Sequence, residues 1–263
     1  MSLAAIFRPC LLPLIAAVLV LGQGGAARAG EVKVAVASNF TQAAIDIGSL
    51  FTAKTGHQIL FSFGSTGQLF TQIAKGAPYE VFLAADRARP EKAVVDGLAV
   101  AGSLFTYATG RIVLYSRDTK LIAGPSTLKI KPFARIALAN PATAPYGVAA
   151  IDVLKKLGVY ETLAARIVRG NNIAQTHQFV QSGNAELGFV ALSQIIGHDH
   201  GSRWQVPENL HPGVSQGAVL LRGGTANAAA RAFMTFLAGP EANQVKQTYG
   251  YGPGTRPKLP PDA

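Results

Sequence analysis

The sequence alternates between short apolar segments and longer segments with helical spacing, and this alternation constrains the fold more than any other feature. The first apolar segment, Glu31–Ala37, has the pattern of a β-strand. Apolar residues then recur at helical spacing from Phe40 to Phe51, and Gly56 is placed to cap the helix. A strand, a helix and a strand follow at Ile59–Phe63, Gln68–Lys75 and Val81–Ala84. Such βαβ units predict a parallel sheet with right-handed crossovers.

The same alternation resumes in the middle of the chain. Strand and helix patterns alternate there over five segments: Ile136–Ala139, Val148–Leu157, Ile167–Val168, Ile173–Gln181 and Leu187–Ala191. Extended segments flank this block, Arg111–Ser116 before it and Gln216–Leu221 after it. We interpret these two segments as strands that cross between two lobes. The helices predicted at Ala228–Leu237 and Glu241–Tyr249 then need a sheet to pack on, and the first block provides one.

The predicted fold class is therefore α/β, with two doubly wound lobes joined by two crossover strands and a ligand cleft between the lobes. The first lobe is discontinuous and comprises residues 30–112 and 215–263, while the second comprises residues 113–214. A chain that crosses twice between lobes is typical of proteins that close about a hinge. A single continuous doubly wound domain is the alternative interpretation.

Residues 1–29 have the layout of a cleaved secretory signal. A basic residue precedes an apolar stretch from Cys10 to Leu21, and small residues at 27 and 29 predict cleavage after Ala29. A membrane-spanning helix would need about 20 continuous apolar residues, and a proline and a glycine cluster interrupt this run. Cys10 is the single cysteine, and it lies at the start of the apolar stretch instead of after it, where a lipid-anchored cysteine would be. We therefore expect an exported, soluble protein with neither a lipid anchor nor disulfides.

The charge balance favours an anionic ligand. The formal net charge is +10, and it falls to about +8 for the expected mature chain because Arg8 and Arg28 lie in the signal. A positive field concentrates anions and speeds their encounter with the protein. The basic residues are dispersed, without a dense run or a stripe of interleaved aromatic residues, so we do not expect nucleic acid as a partner.

Polar residues cluster where predicted strands end and helices begin, which is where ligands bind in open α/β sheets. Ser38-Asn39 and Gly64–Gly67 follow the first two strands, and Pro141–Gly147 and Asn171–Ile173 occupy comparable places in the second block. The first N–H groups of a helix have no intrahelical partner, so such junctions bind anions readily. Helix capping is the alternative role for each of these side chains, here Ser38, Asn39, Ser65 and Asn172.

Other kinds of site find little support. The sequence around Ser65 lacks the first glycine of the G-x-S-x-G nucleophile motif, and Gly64–Gly67 lacks the lysine of a P-loop. His198-Asp199-His200 has no nearby cluster of further ligands, so we interpret it as a solvated loop and not a cation site. Asp86 is expected to cap the following helix. We therefore predict no catalytic residues and no cofactor.

Several segments resemble periplasmic molybdate-binding proteins of molybdate ABC importers, in order and over essentially the whole mature chain. The segments that carry the resemblance are Val34–Phe40, Phe63–Leu69, Gly76–Asp86, Asn140–Pro141, Pro145–Gly147, Leu187–Val190, Gly239–Glu241 and Tyr249–Gly250. The resemblance implies a periplasmic-binding-protein type II-like fold. It also implies periplasmic capture of molybdate or tungstate and delivery to the membrane permease of an ABC importer. We expect the protein to be a monomer.

Carried over position by position, the resemblance implies an oxyanion site made of hydrogen-bond donors. Ser38, Asn39 and Ser65 would donate from the first lobe, and Tyr146 and Ile173 would donate through their main-chain N–H groups from the second. Molybdenum would be held only as its oxyanion, without direct cation ligands. Molybdate, tungstate and sulfate only accept hydrogen bonds, whereas phosphate keeps a proton and would want an acceptor.

One departure from the family concerns a tyrosine donor that some members carry just after the strand equivalent to Gly188–Val190. This chain has Ala191 there, and Asn39 is the residue expected to take over the missing hydrogen bond. The alternative functions are a carrier for sulfate or another oxyanion, and a secreted enzyme of unrecognised type. The sequence does not separate molybdate from tungstate, because the two anions share charge and shape.

Overall fold

The computed structural model describes residues 29–197 and 200–255, so most of the predicted signal lies outside the described residues. In the described part, the strands are β1 Glu31–Ala37, β2 Gln58–Gly64, β3 Val81–Leu83, β4 Phe105–Gly110, β5 Ile112–Ser116, β6 Ile136–Ala139, β7 Ile167–Gly170, β8 Leu187–Ala191, β9 Ser202–Gln205 and β10 Val214–Leu220. The helices are α1 Thr41–Thr55, α2 Thr66–Ala74, α3 Ala88–Val95, α4 Thr127–Ile130, α5 Pro145–Lys156, α6 Tyr160–Leu163, α7 Ile173–Gln181, α8 Ala228–Leu237 and α9 Pro240–Thr248.

Two five-stranded sheets organise the chain, and they share one topology. The first has the order β2-β1-β3-β10-β4 and the second the order β7-β6-β8-β5-β9. In each sheet three neighbouring strands pair in parallel, and the two others are added through antiparallel pairs, so that a single strand, β10 in the first sheet and β5 in the second, runs against the other four. The sheets are therefore mixed. The βαβ pattern alone had predicted purely parallel sheets, so that prediction was wrong for the two antiparallel pairings in each sheet. We call each sheet with its flanking helices a lobe.

The predicted fold class, two α/β lobes with a cleft between them, is confirmed. The chain crosses from the first sheet to the second at Arg111, a single residue between β4 and β5, and returns through residues 206–213. The segments interpreted as crossing strands start at or shortly after these crossings and do not span them. Each pairs within one sheet, β5 with β8 and β9, and β10 with β3 and β4.

Burial on both faces explains the near-continuous apolar strands. In β1, Val34 and its alternate neighbours pack against α1 and α8, while Ala35 faces Leu69 and Phe82 on the other side. A strand covered on both faces needs apolar residues at every position, as is usual for parallel strands. Gly56 has a φ of 75° and donates its N–H to the oxygen of Thr52, so the predicted cap of α1 is confirmed.

The hydrophobic core of the second lobe reaches Ala37 and Ala85 at the strand ends of the first lobe. The two lobes therefore contact each other where the carboxyl ends of their parallel strands meet, and the helix starts predicted to bind an anion lie at that junction. Among the described residues, none of the helices combines the length and apolar character needed to cross a membrane.

Candidate functional site

The five residues predicted to hold an anion, Ser38, Asn39, Ser65, Tyr146 and Ile173, line one small cleft between the lobes. Residues of the first lobe in this lining follow β1, β2 and β3, and those of the second lobe lie at the starts of α5 and α7. The lining consists of Ala37, Ser38, Asn39, Gly64, Ser65, Thr66, Ala85, Ala144, Pro145, Tyr146 and Ile173. The cleft thus brings together residues up to 136 positions apart in the chain, and none of these lining residues carries a charge.

Three helices begin at this cleft. Thr66, Pro145 and Ile173 are the first residues of α2, α5 and α7. The N–H groups in the first turn of a helix lack intrahelical acceptors, and the helix dipole adds a partial positive charge there. Pro145 has no N–H group, so Tyr146 carries the first main-chain donor of α5. The cleft therefore has a positive potential without any Lys or Arg side chain in its lining.

The sequence left two roles open for side chains at helix starts, helix capping and anion binding, and Asn172 and Ser65 differ in this respect. Asn172 caps α7, because its side-chain oxygen accepts from the N–H of Gln175 at 2.9 Å. Ser65 occupies the corresponding position before α2 but makes no capping bond. Its side chain is 2% exposed, and its Oγ has no hydrogen-bond partner among the described residues. A buried hydroxyl without a partner costs about 1 to 3 kcal/mol, so this one is suited to a bound acceptor.

The two other first-lobe residues of the predicted site lie in a single 3₁₀ turn, Ser38–Phe40, directly after β1. Ser38 and Asn39 are 6% and 3% exposed. The Asn39 Nδ2 donates to Gln216 Oε1 at 2.9 Å and to the Tyr251 hydroxyl at 3.1 Å. Within the described part of the chain, its Oδ1 has no partner. The Asn39 carboxamide is therefore bonded within the protein through its nitrogen.

Tyr146 and Ile173 contribute to the cleft in a different way. Both side chains are buried in the hydrophobic core of the second lobe, at 1% and 3% exposure. What they offer an anion is a main-chain N–H at a helix start, as the sequence predicted. The Tyr146 hydroxyl extends toward the first lobe and accepts from Gln216 Nε2 at 3.4 Å.

A buried polar network lies behind the cleft and joins the lobes. The Tyr107 hydroxyl donates to Gln216 Oε1 at 2.8 Å, and the Tyr251 hydroxyl lies 2.9 Å from Ser193 Oγ. Ser193, in the second lobe, donates to the main-chain oxygen of Asn39 at 2.9 Å. Burial raises the pKa of the Tyr107, Tyr146 and Tyr251 phenols above the usual value. The network is therefore uncharged at neutral pH and places no negative charge beside the cleft.

At the cleft mouth the lobes touch directly. The N–H of Gly67 donates to the oxygen of Thr143 at 2.8 Å, and Arg89 Nη2 donates to the oxygen of Ala142 at 3.2 Å. Arg89 also forms an ion pair with Asp86, whose Oδ1 accepts from the Arg89 N–H at 3.0 Å. Asp86 thus bonds the first turn of α3, as expected from the sequence. These contacts join the two lobes at the cleft mouth.

Sequence reasoning did not identify Gln216, Tyr107 or Tyr251, which support the site from behind. Gln216 was visible only as a polar residue at the start of an apolar extended segment. Its partners lie 70 to 177 positions away in the chain, so local spacing could not reveal them. In residues 29–197 and 200–255, His, Cys, Asp and Glu side chains form no group of three that could hold a metal ion. His198 and Asp199, interpreted as part of a solvated loop, lie outside the described residues.

Comparison with known proteins agrees with this architecture. A family model described as bacterial extracellular solute-binding protein matches residues 32–252. The chain is 51% identical to the molybdate-binding protein ModA of Rhodobacter capsulatus over 233 residues, which cover 89% of this chain and 92% of that one. It is 50% identical to ModA of Azotobacter vinelandii over 242 residues, covering 89% and 96%.

A solved structure gives the same result in three dimensions. The Azotobacter vinelandii periplasmic molybdate-binding protein superposes with a TM-score of 0.82 at 39% identity, covering 88% of this chain and 100% of that one. The family model, the sequence relatives and the superposition all span both lobes. The chain therefore belongs to the family of bacterial extracellular solute-binding proteins.

Proposed function

We propose that this protein captures molybdate or tungstate in the periplasm and delivers it to the membrane permease of an ABC importer. The relatives named above are molybdate-binding proteins. The observation in this chain that carries the proposal is the buried Ser65 hydroxyl, which has no partner in the described residues and belongs to a cleft where three helices begin. Such a group is satisfied by an acceptor that enters the cleft, and a tetrahedral oxyanion presents four acceptor oxygens.

The donor set favours an anion that carries no proton. The cleft lining contains hydroxyl, amide and main-chain N–H groups, and none of its residues is Asp or Glu. Molybdate, tungstate and sulfate accept hydrogen bonds only, whereas phosphate keeps a proton in part of the neutral range and would need an acceptor. The lining also lacks His and Lys that could serve as a base. We therefore propose binding without catalysis.

Size is the property that selects among the dianions. Molybdate, tungstate and sulfate carry the same charge, so Coulomb attraction does not distinguish them. The metal–oxygen bonds of molybdate and tungstate are longer than the bonds of sulfate. In a cleft fitted to the larger anion, sulfate reaches the donors of one lobe and stretches its hydrogen bonds to the other beyond useful geometry. Two poorly made bonds at about 1 to 3 kcal/mol each give several orders of magnitude in affinity.

Titration calorimetry of residues 30–263 with four anions tests the proposal. We expect molybdate and tungstate to bind within about tenfold of each other and sulfate at least about a thousandfold more weakly, a gap of about 4 kcal/mol. Phosphate should be weaker still. At about 100 times the dissociation constant, molybdate should stabilise the folded state by about 2.7 kcal/mol. Binding of neither molybdate nor tungstate would refute the proposal, and displacement of molybdate by equimolar sulfate would favour a sulfate carrier.

The proposed location and partner rest on the N-terminal sequence and on the family. The signal pattern ends at Ala29, and β1 begins two residues later at Glu31. Cleavage after Ala29 would release a chain whose first strand is complete. Mass spectrometry of the protein purified from periplasmic extract should give Gly30 as the first residue.

A further inference from the structure

Gln216 lies behind the cleft, at an irregularity of the first sheet. The register between β10 and β4 shifts here, because Gln216 pairs with Ala108 while the next residue, Gly217, pairs with Thr106. Tyr107 is the extra residue of this bulge. Bulges turn side chains out of their regular positions and occur often beside functional sites. Gln216 and Tyr107 are both fully buried, and the Tyr107 hydroxyl donates to Gln216 Oε1 at 2.8 Å.

The position of Gln216 is enforced by its neighbours. A Cβ added at Gly110 would lie 2.5 Å from Gln216 Nε2 and 2.1 Å from the Tyr146 hydroxyl. Residue 110 must therefore be glycine for these two groups to meet at the crossing between the lobes. From this place Gln216 contacts one site residue of each lobe: Oε1 accepts from Asn39 Nδ2 at 2.9 Å, and Nε2 donates to the Tyr146 hydroxyl at 3.4 Å.

The orientation of the Asn39 carboxamide is the link to anion binding. Its nitrogen is engaged with Gln216 and Tyr251, and its oxygen, buried beside the cleft, has no partner among the described residues. An oxyanion accepts hydrogen bonds and is repelled by a carbonyl oxygen. For Asn39 to donate to an anion, its carboxamide must turn over, which brings Oδ1 opposite Gln216. Gln216 must then turn as well, so that Nε2 donates to Asn39 and to the Tyr107 hydroxyl while Oε1 accepts from Tyr146.

We infer that Gln216 is a positioning residue of the anion site, whose carboxamide determines which end of the Asn39 side chain faces the cleft. The inference rests on the proposed function and extends it to a residue that is not part of the cleft lining. Because a carboxamide has one donor end and one acceptor end, the two side chains must turn together, and Asn39 presents its nitrogen to the cleft only when Gln216 presents Nε2 to Asn39 Oδ1. Its bond to Tyr146 makes the same group part of the contact between the lobes.

The test is molybdate affinity of Gln216→Met, which keeps the length of the side chain and removes its hydrogen bonds. We expect the dissociation constant to rise about tenfold or more, since the substitution removes the bonds of Gln216 to both Asn39 and Tyr146. Ser103→Ala is the matched control: Ser103 is buried, and its Oγ accepts from the N–H of Leu220 on the same strand at 3.1 Å. This control should lower the melting temperature of the ligand-free protein and leave affinity within about twofold.

A double-mutant cycle separates positioning from a structural role. In an Asn39→Ala background, Gln216→Met should weaken molybdate binding by less than about threefold, because the group that it orients is gone. Tyr107→Phe, which removes one bond to Gln216 and keeps the ring, is a second variant that should fold if Gln216→Met does not, and its loss of affinity should likewise shrink in the Asn39→Ala background. An unchanged affinity of the variants that fold, or full additivity with Asn39→Ala, would overturn the inference. Failure of the wild type to bind would instead refute the proposed function.

Discussion

The two lobes share one strand order but meet the cleft with different chemistry. The first lobe presents polar side chains, and two of its buried polar atoms, Asn39 Oδ1 and Ser65 Oγ, lack partners within the described residues. The second lobe presents the starts of α5 and α7, whose residues Tyr146 and Ile173 are packed into its core. Binding should therefore depend on side-chain identity in the first lobe and on backbone position in the second.

The first lobe also contains a buried charge. Lys246 in α9 is 3% exposed, and its ammonium donates to the main-chain oxygens of Tyr107 and Leu237 at 2.9 Å each. Tyr107 is the extra residue of the β4 bulge, so the lysine supplies a donor to a carbonyl displaced from the ladder. Leu237 ends α8, where a cation also offsets the helix dipole. In the described part of the second lobe, the buried polar residues are Ser116, Thr127, Thr176 and Ser202, together with His211 in the segment that returns to the first lobe.

The largest expected effect is a dependence of stability on alkaline pH that arises in the first lobe. Burial lowers the pKa of Lys246 from 10.5 to about 8. The unfolded chain therefore binds more protons than the folded protein between pH 8 and 10.5, and the free energy of unfolding rises with pH in this window. The full gain is about 3 kcal/mol, with about 2 kcal/mol of it between pH 7.5 and 9.5.

Urea unfolding gives the free energy of unfolding of the wild type and of Lys246→Met at pH 7.5 and at pH 9.5. The wild type should gain about 2 kcal/mol relative to Lys246→Met between these two pH values. Above about pH 10 the buried tyrosines act in the opposite direction, because their raised pKa values leave the unfolded chain with fewer protons. A wild type that parallels Lys246→Met from pH 7.5 to 9.5 would show that Lys246 is not the source.

Ser65→Ala should have the largest effect on affinity among the cleft side chains. The substitution removes a hydroxyl that would donate to a buried dianion, and such a bond contributes roughly 1.5 to 3 kcal/mol. We expect the dissociation constant for molybdate to rise about ten- to a hundredfold by calorimetry. The ligand-free protein should lose little stability, because Ser65 Oγ has no partner in the described chain.

The control for Ser65→Ala comes from the other lobe. Ser116 is buried, and its Oγ donates to the oxygen of Glu186 at 2.5 Å and accepts from the N–H of Asp118 at 3.1 Å. Ser116→Ala should therefore destabilise the protein without changing affinity. Equal losses of affinity in the two variants would remove the distinction between cleft and core hydroxyls.

A smaller effect is expected at the cleft mouth, where Arg89 joins the lobes. Arg89→Met keeps the aliphatic stem and removes the bond to the oxygen of Ala142. Partly exposed contacts of this kind contribute about 0.2 to 1 kcal/mol, so molybdate should dissociate about 1.4- to fivefold faster in stopped-flow experiments. Arg222→Met is the control, since Arg222 Nε donates to the oxygen of Gly97 at 2.8 Å within the first lobe. Equal dissociation rates in both variants would show that the bond from Arg89 to the oxygen of Ala142 does not slow the release of molybdate.

The sequence predicted most elements because their apolar spacing is regular. The bounds of β1, β6, β8, α7 and α8 agree with the patterns read from the residues. It did not predict β4 or β9, since Phe105–Gly110 and Ser202–Gln205 mix small, polar and aromatic residues and take their conformation from neighbouring strands. The antiparallel insertion of β10 between β3 and β4 was equally hidden, because it depends on pairing over more than 100 residues.

The candidate site was predictable in part, because some of its features depend only on local sequence. Helix starts after strands are local features, so Ser38, Ser65 and Ile173 could be placed from their positions in the βαβ pattern and from the family resemblance. Whether a side chain caps its helix or remains without a partner is decided by packing, as the contrast between Ser65 and Asn172 shows. The bulge that aims Tyr107 at Gln216 has no local sequence signal. Donation to an anion by the five residues remains a prediction.

Ile173→Ala should have the smallest effect on affinity. It tests whether the second lobe binds the anion through its backbone and not through its side chains. The Ile173 side chain is 3% exposed in the core, so its truncation should cost about 2 to 4 kcal/mol of stability. The main-chain N–H survives the substitution, and the Asn172 cap holds α7 in place. Molybdate affinity measured well below the melting temperature should therefore change by less than about threefold, against at least about tenfold for Ser65→Ala.

A proline at position 173 tests the main-chain donor directly, because proline has no N–H group. Ile173 is the first residue of α7, where proline fits because its missing N–H would have no intrahelical partner. Asn172 is already extended, with φ of −151° and ψ of 176°, as a residue before proline requires. Ile173→Pro should therefore fold and weaken molybdate binding by about tenfold or more. If Ile173→Ala proved as damaging to affinity as Ile173→Pro, the second lobe would bind through side-chain packing and the contrast between the lobes would fail.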